Sequence, residues 1–400
     1  MLIVKKFGGT SVANAERVRN AAKKIVDEYD KGNKVVVVLS AQGDTTDELI
    51  EKAKEINPKC SKRELDMLLA TGEQQSVALM AMAIHAMGYP AISLNASQCG
   101  ISATSTYGNS RIKNININRI NAELDKKNIV IITGFQGINK YGDITTLGRG
   151  GSDTSAVALA ATLKADLCEI FTDVDGVYTG DPRIIKNAKK LEVISYDEML
   201  ELASLGAKVL HNRSVELAKK YNVNLVVRSS LTDAEGTVVK EEAFVEKMIV
   251  TGVAVDKNVA RISVMGVPDV PGMAFKIFSN LSKFKVSVDI ILQSIGRDST
   301  KDISFTVSRD ELEPALAALE DLKGKVPFES ISYDETIAKV SIVGAGMDTN
   351  SGVASDLFES LYSSAINVNM ISTSEIKISV LVDEKDAERA ANAIHDKFVN

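Results

Sequence analysis

Along its first 245 residues the chain alternates two patterns of apolar residues. Short unbroken aliphatic runs at 2–4, 35–39, 91–94, 129–133, 167–172 and 225–227 predict strands buried on both faces. Between them, segments 13–29, 44–56, 62–87, 152–164, 196–205 and 214–221 repeat their apolar residues at helical spacing. Strands separated by helices predict an α/β domain with a mostly parallel sheet covered on each side. Ligands of such sheets bind beyond the carboxyl ends of the strands, so the loops that follow the strands are where chemistry is expected.

The pattern changes at 232–247, TDAEGTVVKEEAFVEK, which is charged and turn-like. Beyond it the chain repeats itself. RISVMGV (261–267) resembles KVSIVGA (339–345), VSVDII from Val286 resembles INVNMI from Ile366, and DISFTV from Asp302 resembles KISVLV from Lys377. Each copy reads strand, helix, two hairpin strands, helix, a βαββα unit that packs naturally as a pair. The expected division is 1–245, 246–325 and 326–400.

Composition narrows the class. At 400 residues, with 45% hydrophobic and 25% charged residues, the chain is long enough for two or three domains and too apolar for disorder. It has no tryptophan and 5% aromatics, so its cores are aliphatic. A net charge of −6 argues against non-specific nucleic-acid or anionic-membrane binding. The three cysteines and three histidines are scattered, with no CxxC pair, so neither a disulfide framework nor a metal site is expected. The uncharged stretch 74–110 is read as a buried helix (76–87), a turn and a strand, because its apolar runs are too short to span a membrane. Nothing in MLIVKKFGGTSV resembles a targeting signal, and a cytoplasmic location is expected.

Three loops carry chemistry. The first strand runs into Lys6-Phe7-Gly8-Gly9-Thr10-Ser11, where glycines permit close approach of an anion, a helix start offers amides, and Lys6 adds a charge. It is neither a Walker A loop nor a G-x-G-x-x-G turn. The second is TTLGRGGSD, 145–153. Arg149 offers a fork for a carboxylate, and Ser152 or Asp153 is a candidate N-cap, with Asp153 alternatively organising nearby cations. The third is TDVDGVYTGDPR, 172–183, where Tyr178 could stack on a base and Arg183 reach a phosphate. Its likeness to a calcium loop fails at Val177 and Tyr178. Glu73 in TGEQQS is either a helix-dipole partner or the ligand of a substrate ammonium. Lys5 and Lys6, adjacent on a strand, point to opposite faces.

Taken in order, KFGGTSV, TGEQQS, TTLGRGGSDTSA, FTDVDGVYTGDPR and GAKVLH resemble the aspartate kinase (aspartokinase) family of the amino acid kinase superfamily, and the paired repeat resembles its tandem ACT domains. The resemblance implies an amino acid kinase αβα sandwich followed by two ferredoxin-like α+β ACT domains (βαββαβ). It implies transfer of a phosphoryl group from ATP with Mg²⁺ to L-aspartate. Lys6, with Gly8 and Gly9, would meet the transferring phosphoryl group, Asp153 would orient Lys6, and Ser40 would lie at the phosphate end. Thr172, Asp173, Tyr178, Asp181, Arg183 and Lys208 resemble the nucleotide set. Glu73 would take the substrate ammonium and Arg149 its 1-carboxylate, with Thr46, Gly150, Gly151 and Ser152 nearby. Lysine or threonine is the implied effector, at Asp269, Gly272, Met273, Ala274, Val288, Asp289 and Gln293 in one copy and Asn350, Gly352, Val353, Asn367 and Val368 in the other. A homodimer or larger assembly through these domains is implied. The competing readings are another kinase of the superfamily, such as glutamate 5-kinase, and a non-catalytic amino-acid sensor.

Overall fold

The computed structural model describes residues 1–206, 209–241, 249–294, 296, 299–347 and 350–399. These residues form two compact units, 1–178 with 189–247, and 179–188 with 248–400.

In chain order, the first unit holds β1 (Leu2–Phe7), α1 (Ala15–Asp30), β2 (Lys34–Leu39), α2 (Thr45–Ile56), α3 (Lys62–Ala86), β3 (Ala91–Leu94), β4 (Ile101–Ala103), β5 (Ile112–Ile115), α4 (Asn118–Asp125) and β6 (Ile129–Thr133). It continues with β7 (Gln136–Ile138), β8 (Ile144–Thr146), α5 (Gly151–Leu163), β9 (Leu167–Thr172), β10 (Val193–Ser195), α6 (Tyr196–Ser204), α7 (Asn212–Tyr221), β11 (Leu225–Ser229) and β12 (Thr237–Lys240). The main sheet runs β10-β12-β11-β9-β1-β2-β6-β3, parallel except where β12 turns back against β11. Val35 to Leu39 and Ile129 to Ile132 are almost wholly buried, as strands covered on both faces must be. One cover is α1 and α3, which turn Val18, Ala22, Ile25, Val77, Met80 and Ile84 to the sheet. The other includes α5, buried nearly all round from Gly151 to Ala160, which explains a sequence apolar on every face.

Two local features depart from expectation. The cap of α5 is neither Ser152 nor Asp153 but Gly150, at φ 67°, a left-handed turn that glycine makes without strain. A small second sheet, β5-β4-β7-β8, was not foreseen, because its strands are three or four residues long and lack clear alternation.

The second unit holds β13 (Gly252–Asp256), β14 (Ala260–Pro268), α8 (Met273–Lys283), β15 (Ile291–Gln293), β16 (Thr300–Val307), α9 (Leu312–Glu320), β17 (Ser330–Asp334), β18 (Ile337–Val343), α10 (Val353–Ser363), β19 (Met370–Ser374), β20 (Lys377–Asp383) and α11 (Ala387–Phe398). Its sheets are β15-β16-β14-β17 and β13-β18-β20-β19. The predicted βαββα order recurs in both copies, but the copies interlock. β13, which precedes the first copy, pairs with β18 of the second, and β17, which lies past residue 326, completes the first sheet against β14. A cut after 325 therefore divides the first sheet. Residues 179–188 likewise fold with this unit. Ile185 is buried in a core with Val253, Val340, Leu357 and Ile394, and the Thr179 carbonyl accepts from the Val253 amide at 2.8 Å. The body expected to run unbroken from 1 to 245 thus lends a short segment to the other unit.

Candidate active site

The strands bordering β1 on its two sides, β2 and β9, are both parallel to it, and their carboxyl ends gather the loops singled out in the sequence. Side chains tie these loops together. Ser11 donates to Ser230 at 2.8 Å, and the Ser230 hydroxyl and amide both donate to the Thr172 carbonyl.

Lys6 and Lys5 diverge as strand alternation requires. The Lys6 ammonium lies 2.6 Å from Asp153 Oδ1, with side chains 11% and 13% exposed, so a charged pair sits at the rim of the sheet with a narrow opening to solvent. Asp153 comes from the first turn of α5, and the Gly150 cap leaves its carboxylate free to face Lys6. Lys5 instead enters a buried cluster, 2.5 Å from Glu169 and 3.5 Å from Glu28, with Arg228 2.8 Å from Glu169. Lys5 thus has a structural partner set of its own.

The glycines at 8 and 9 differ in role. A Cβ at Gly8 would come 3.4 Å from Lys6 Nζ, and the Gly8 amide already donates to the Phe171 carbonyl at 3.3 Å. The amide expected at Gly8 is therefore committed, whereas Gly9 opens the short 3-10 turn 9–12. Gly9 cannot carry a side chain, since a Cβ would meet the Ala41 carbonyl at 2.7 Å.

Glu73 stands in the middle of α3, which excludes the helix-dipole reading. It is 3% exposed. One oxygen accepts from the Ala41 amide at 3.2 Å, and the other is buried with no hydrogen-bond partner. Gly72 makes this possible, since a Cβ there would come 2.8 Å from the Ala41 Cβ and hold α3 away. Burial pushes the Glu73 carboxyl up to about 7, opposed by backbone amides, Ala41's among them, and by the nearby Gln136 side chain. A half-satisfied buried carboxylate is a receptor for a cation. If the cation is a substrate ammonium, binding favours the ionised form and expels a proton from the free enzyme. We expect binding of such a substrate to release about half a proton at pH 7 and almost none at pH 9. Calorimetry in two buffers of unlike ionisation enthalpy reads this, and a heat independent of buffer at pH 7 contradicts it.

The TTLGRGGSD loop is anchored from α3 by Asp66, a residue sequence reasoning passed over. Its carboxylate accepts from the Thr146 amide at 2.9 Å, the Thr146 hydroxyl at 2.7 Å and the Gly108 amide at 2.9 Å. Arg149 is exposed and Ser152 buried, with Ser152 lodged beside Gly134, where a Cβ would come 2.6 Å from its hydroxyl. Gly151 is buried against Phe135 and Leu147. Ser40 follows β2, its amide bound to the Phe7 carbonyl at 3.2 Å, and Thr46 lies half-buried in the first turn of α2.

In the third loop, Thr172 donates to Asp173 at 3.0 Å, and the Tyr178 hydroxyl donates to Asp175 at 2.8 Å. That bond raises the Tyr178 pKa and lowers that of Asp175. Asp181 and Arg183 lie in the segment that folds with the second unit and pair with each other at 2.7 Å. Lys208 lies outside the described residues. Cys99 and Cys168 are buried, and burial raises both thiols, Cys99 to about 12, so both are unreactive packing residues.

In the second unit, Gly272, Met273 and Ala274 open α8, and Val288 and Asp289 precede β15, which carries an exposed Gln293. Their counterparts are Gly352 and Val353 at the start of α10 and Asn367 and Val368 before β19. Asn350 donates to the Gly346 carbonyl at 2.8 Å. Two expected effector carboxylates are already engaged: Asp269 lies 2.7 Å from Lys301, and Asp289 lies 2.5 Å from the buried Lys339.

A parallel sheet with a lysine–aspartate pair at the carboxyl end of its central strand, joined to paired βαββα units, defines a small-molecule kinase with a regulatory module. The Amino acid kinase family profile matches residues 1–229, and the ACT domain profile matches 262–322 and 340–398. The chain is 52% identical over 400 residues to an aspartokinase of Helicobacter pylori, covering 99% of this chain and 98% of the relative. It is 50% identical over 398 residues to an aspartokinase of Bacillus sp. (strain MGA3), covering 99% and 97%. Its fold matches that of Escherichia coli aspartokinase III in complex with aspartate and ADP, with a TM-score of 0.82 at 24% identity and full coverage of both chains. The chain belongs to the aspartokinase family. Among the described residues, no helix is long and apolar enough to cross a membrane.

Proposed function

We infer that the first unit transfers the γ-phosphoryl group of ATP to the side-chain carboxylate of L-aspartate, giving 4-phospho-L-aspartate, the first step toward lysine, threonine and methionine. The observation that carries this reading is the Lys6–Asp153 pair at 2.6 Å. Phosphoryl transfer demands positioning and charge stabilisation, with little covalent help from the protein. Lys6, held in place by Asp153, meets the charge on the transferring group, and the Gly9 amide adds a fixed dipole. The acceptor carboxylate is already ionised at neutral pH, so no general base is needed. Glu73 takes the ammonium and Arg149 the 1-carboxylate, which places the reacting carboxylate toward Lys6. Thr172, Asp173 and Tyr178 face the nucleotide. Mg²⁺ would neutralise phosphate charge. The donor set fits an ion carried on ATP with several waters, since Asp153 is committed to Lys6.

The test is ADP release with aspartate, glutamate or no acceptor. Turnover that needs aspartate supports the reading; turnover with glutamate, or none, overturns it.

The second unit binds lysine or threonine where its two βαββα copies meet, and joins chains into a homodimer or larger assembly. Gln293→Ala should weaken inhibition about tenfold, the worth of one or two hydrogen bonds, and leave the uninhibited rate unchanged. Inhibition curves for both amino acids check this, and an unshifted midpoint removes Gln293 from the effector site.

A further inference from the structure

The loop that bears Arg149 is held from a second side by α7, and no motif assigned that helix a role. Arg213, in its first turn, donates from Nη1 to the Leu147 carbonyl and from Nη2 to the Ser110 carbonyl at 3.1 Å. Ser110 is itself fixed to the loop, since its amide and hydroxyl both donate to the Thr146 carbonyl, at 2.8 and 3.0 Å. One guanidinium therefore clamps the 108–110 turn to the residues that lead into Gly148 and Arg149. Two residues before Arg213, His211 packs on the far end of the same loop. A Cβ at Gly150 would lie 2.1 Å from His211 Cγ, so the imidazole sits directly on the Gly150 backbone.

The chemistry of this clamp is unusual for scaffolding. Arg213 is half-buried, and burial, then the neighbouring Arg111 guanidinium, lower its pKa. Its hydrogen bonds go to uncharged carbonyl oxygens. No ion pair is formed by Arg213 among the described residues, and Glu216, one turn further along α7, acts on it only through space. A partly desolvated cation without an ion-pair partner is a costly tie for a surface loop. Its fork does one thing a neutral amide does less well: it fixes two carbonyls in one plane at set spacing. The loop it fixes needs that, because Gly148 at φ 80° and Gly150 at φ 67° flank Arg149 with the most permissive residue type. Arg149 is exposed, and the guanidinium can serve a carboxylate only if the backbone beneath it is immobile.

We propose that Arg213 and His211 are positioning residues for the Arg149 subsite, setting the affinity for the 1-carboxylate of the amino-acid substrate without touching it. The inference rests on the aspartate reading above. Replacement of Arg213 by Met keeps the packing stem and removes the fork. Displacement of a binding group by about 1 Å costs up to about a hundredfold. Arg213→Met should therefore raise KM for aspartate by roughly ten- to a hundredfold, with kcat at saturating aspartate within about threefold of the parent. The dissociation constant of a non-hydrolysable ATP analogue, by calorimetry, should stay within about twofold. Arg213→Lys, which can reach one carbonyl, should recover part of the loss, and His211→Ala should give a milder rise in the same constant.

A general scaffold role predicts something else: nucleotide and aspartate affinities falling together with the melting temperature, and Arg213→Lys no better than Arg213→Met. That result, or an unchanged KM for aspartate in Arg213→Met, overturns the proposal. If Arg213→Met does not fold, His211→Ala decides by the same aspartate-against-nucleotide comparison. The parent enzyme run beside them separates the two ideas, because absence of aspartate-dependent turnover there counts against the substrate reading and not against the clamp.

Discussion

Lys6→Ala lowers kcat by on the order of 10³-fold, while the ATP analogue still binds measurably. The magnitude follows from removing one pre-positioned charge aimed at a developing anion. It corresponds to about 4 kcal/mol of lost transition-state stabilisation. Lys6 is placed for this by its 2.6 Å contact with Asp153 and by its position over Gly8. Asp153→Asn should cost less, because it loosens the ammonium without deleting it. The double variant should be little worse than Lys6→Ala alone, as expected for residues acting as one unit. The neighbouring lysine is the control. Lys5 is buried with Glu169 and Glu28, so Lys5→Met removes one partner from a buried charge cluster. It should cost about 3–5 kcal/mol of stability and leave kcat of the folded enzyme nearly intact. Single-turnover kinetics and thermal melts of the two variants check this. A Lys5 variant that is stable but inactive would reverse the assignment.

Glu73→Gln raises KM for aspartate by on the order of 10²-fold, the worth of a charge-assisted hydrogen bond to a buried ion. The prediction rests on the buried carboxylate oxygen that has no hydrogen-bond partner, proposed above to take the ammonium. The same variant has a stability signature of opposite sign. The folded carboxyl titrates at about 7 against an ordinary value of 4.5. Its protonated form is the one the fold favours. Its contribution to stability is complete below about pH 4.5 and is lost as pH rises through 7. The parent enzyme without ligand should therefore lose stability from pH 5.5 to 8 relative to Glu73→Gln, in which that slope is absent. Melting curves at several pH values measure it. Parallel curves, or a KM unchanged by the substitution, remove Glu73 from the substrate site.

Six strands of the main sheet and six of the first unit's seven described helices were legible because each is a run of one periodicity, whereas the eight-residue α4 was not predicted. Lys6 was legible from its place at the end of such a run, before Gly8-Gly9. What escaped was tertiary. Glu73 was ambiguous because a lone carboxylate bordering an uncharged run fits either a helix-dipole partner or a ligand, and only its place in the middle of α3 with one unpartnered oxygen separates the two. Asp66 and Arg213 are single polar residues on helices whose bonds to distant loops leave no local signature, and the packing of His211, at the end of GAKVLH, on Gly150 is likewise tertiary. The exchange of β13 and β17 between the two small sheets was invisible for a related reason: a strand's pattern says which face is buried and not which neighbour it pairs with. The segment 179–188 read as a turn-rich continuation of the nucleotide loop, and its membership of the second unit is decided by the burial of Ile185 and one backbone pairing at Thr179.

The central claim is that the acceptor is the side-chain carboxylate of aspartate. An acyl phosphate is trapped by hydroxylamine as a hydroxamate, which mass spectrometry assigns to one carboxyl group. Incubated with ATP, Mg²⁺, hydroxylamine and aspartate, the enzyme should yield the 4-hydroxamate of aspartate in step with ADP, and none with glutamate or with the Lys6→Ala variant. ADP formed without hydroxamate, or a hydroxamate at the 1-carboxyl group, would contradict the account.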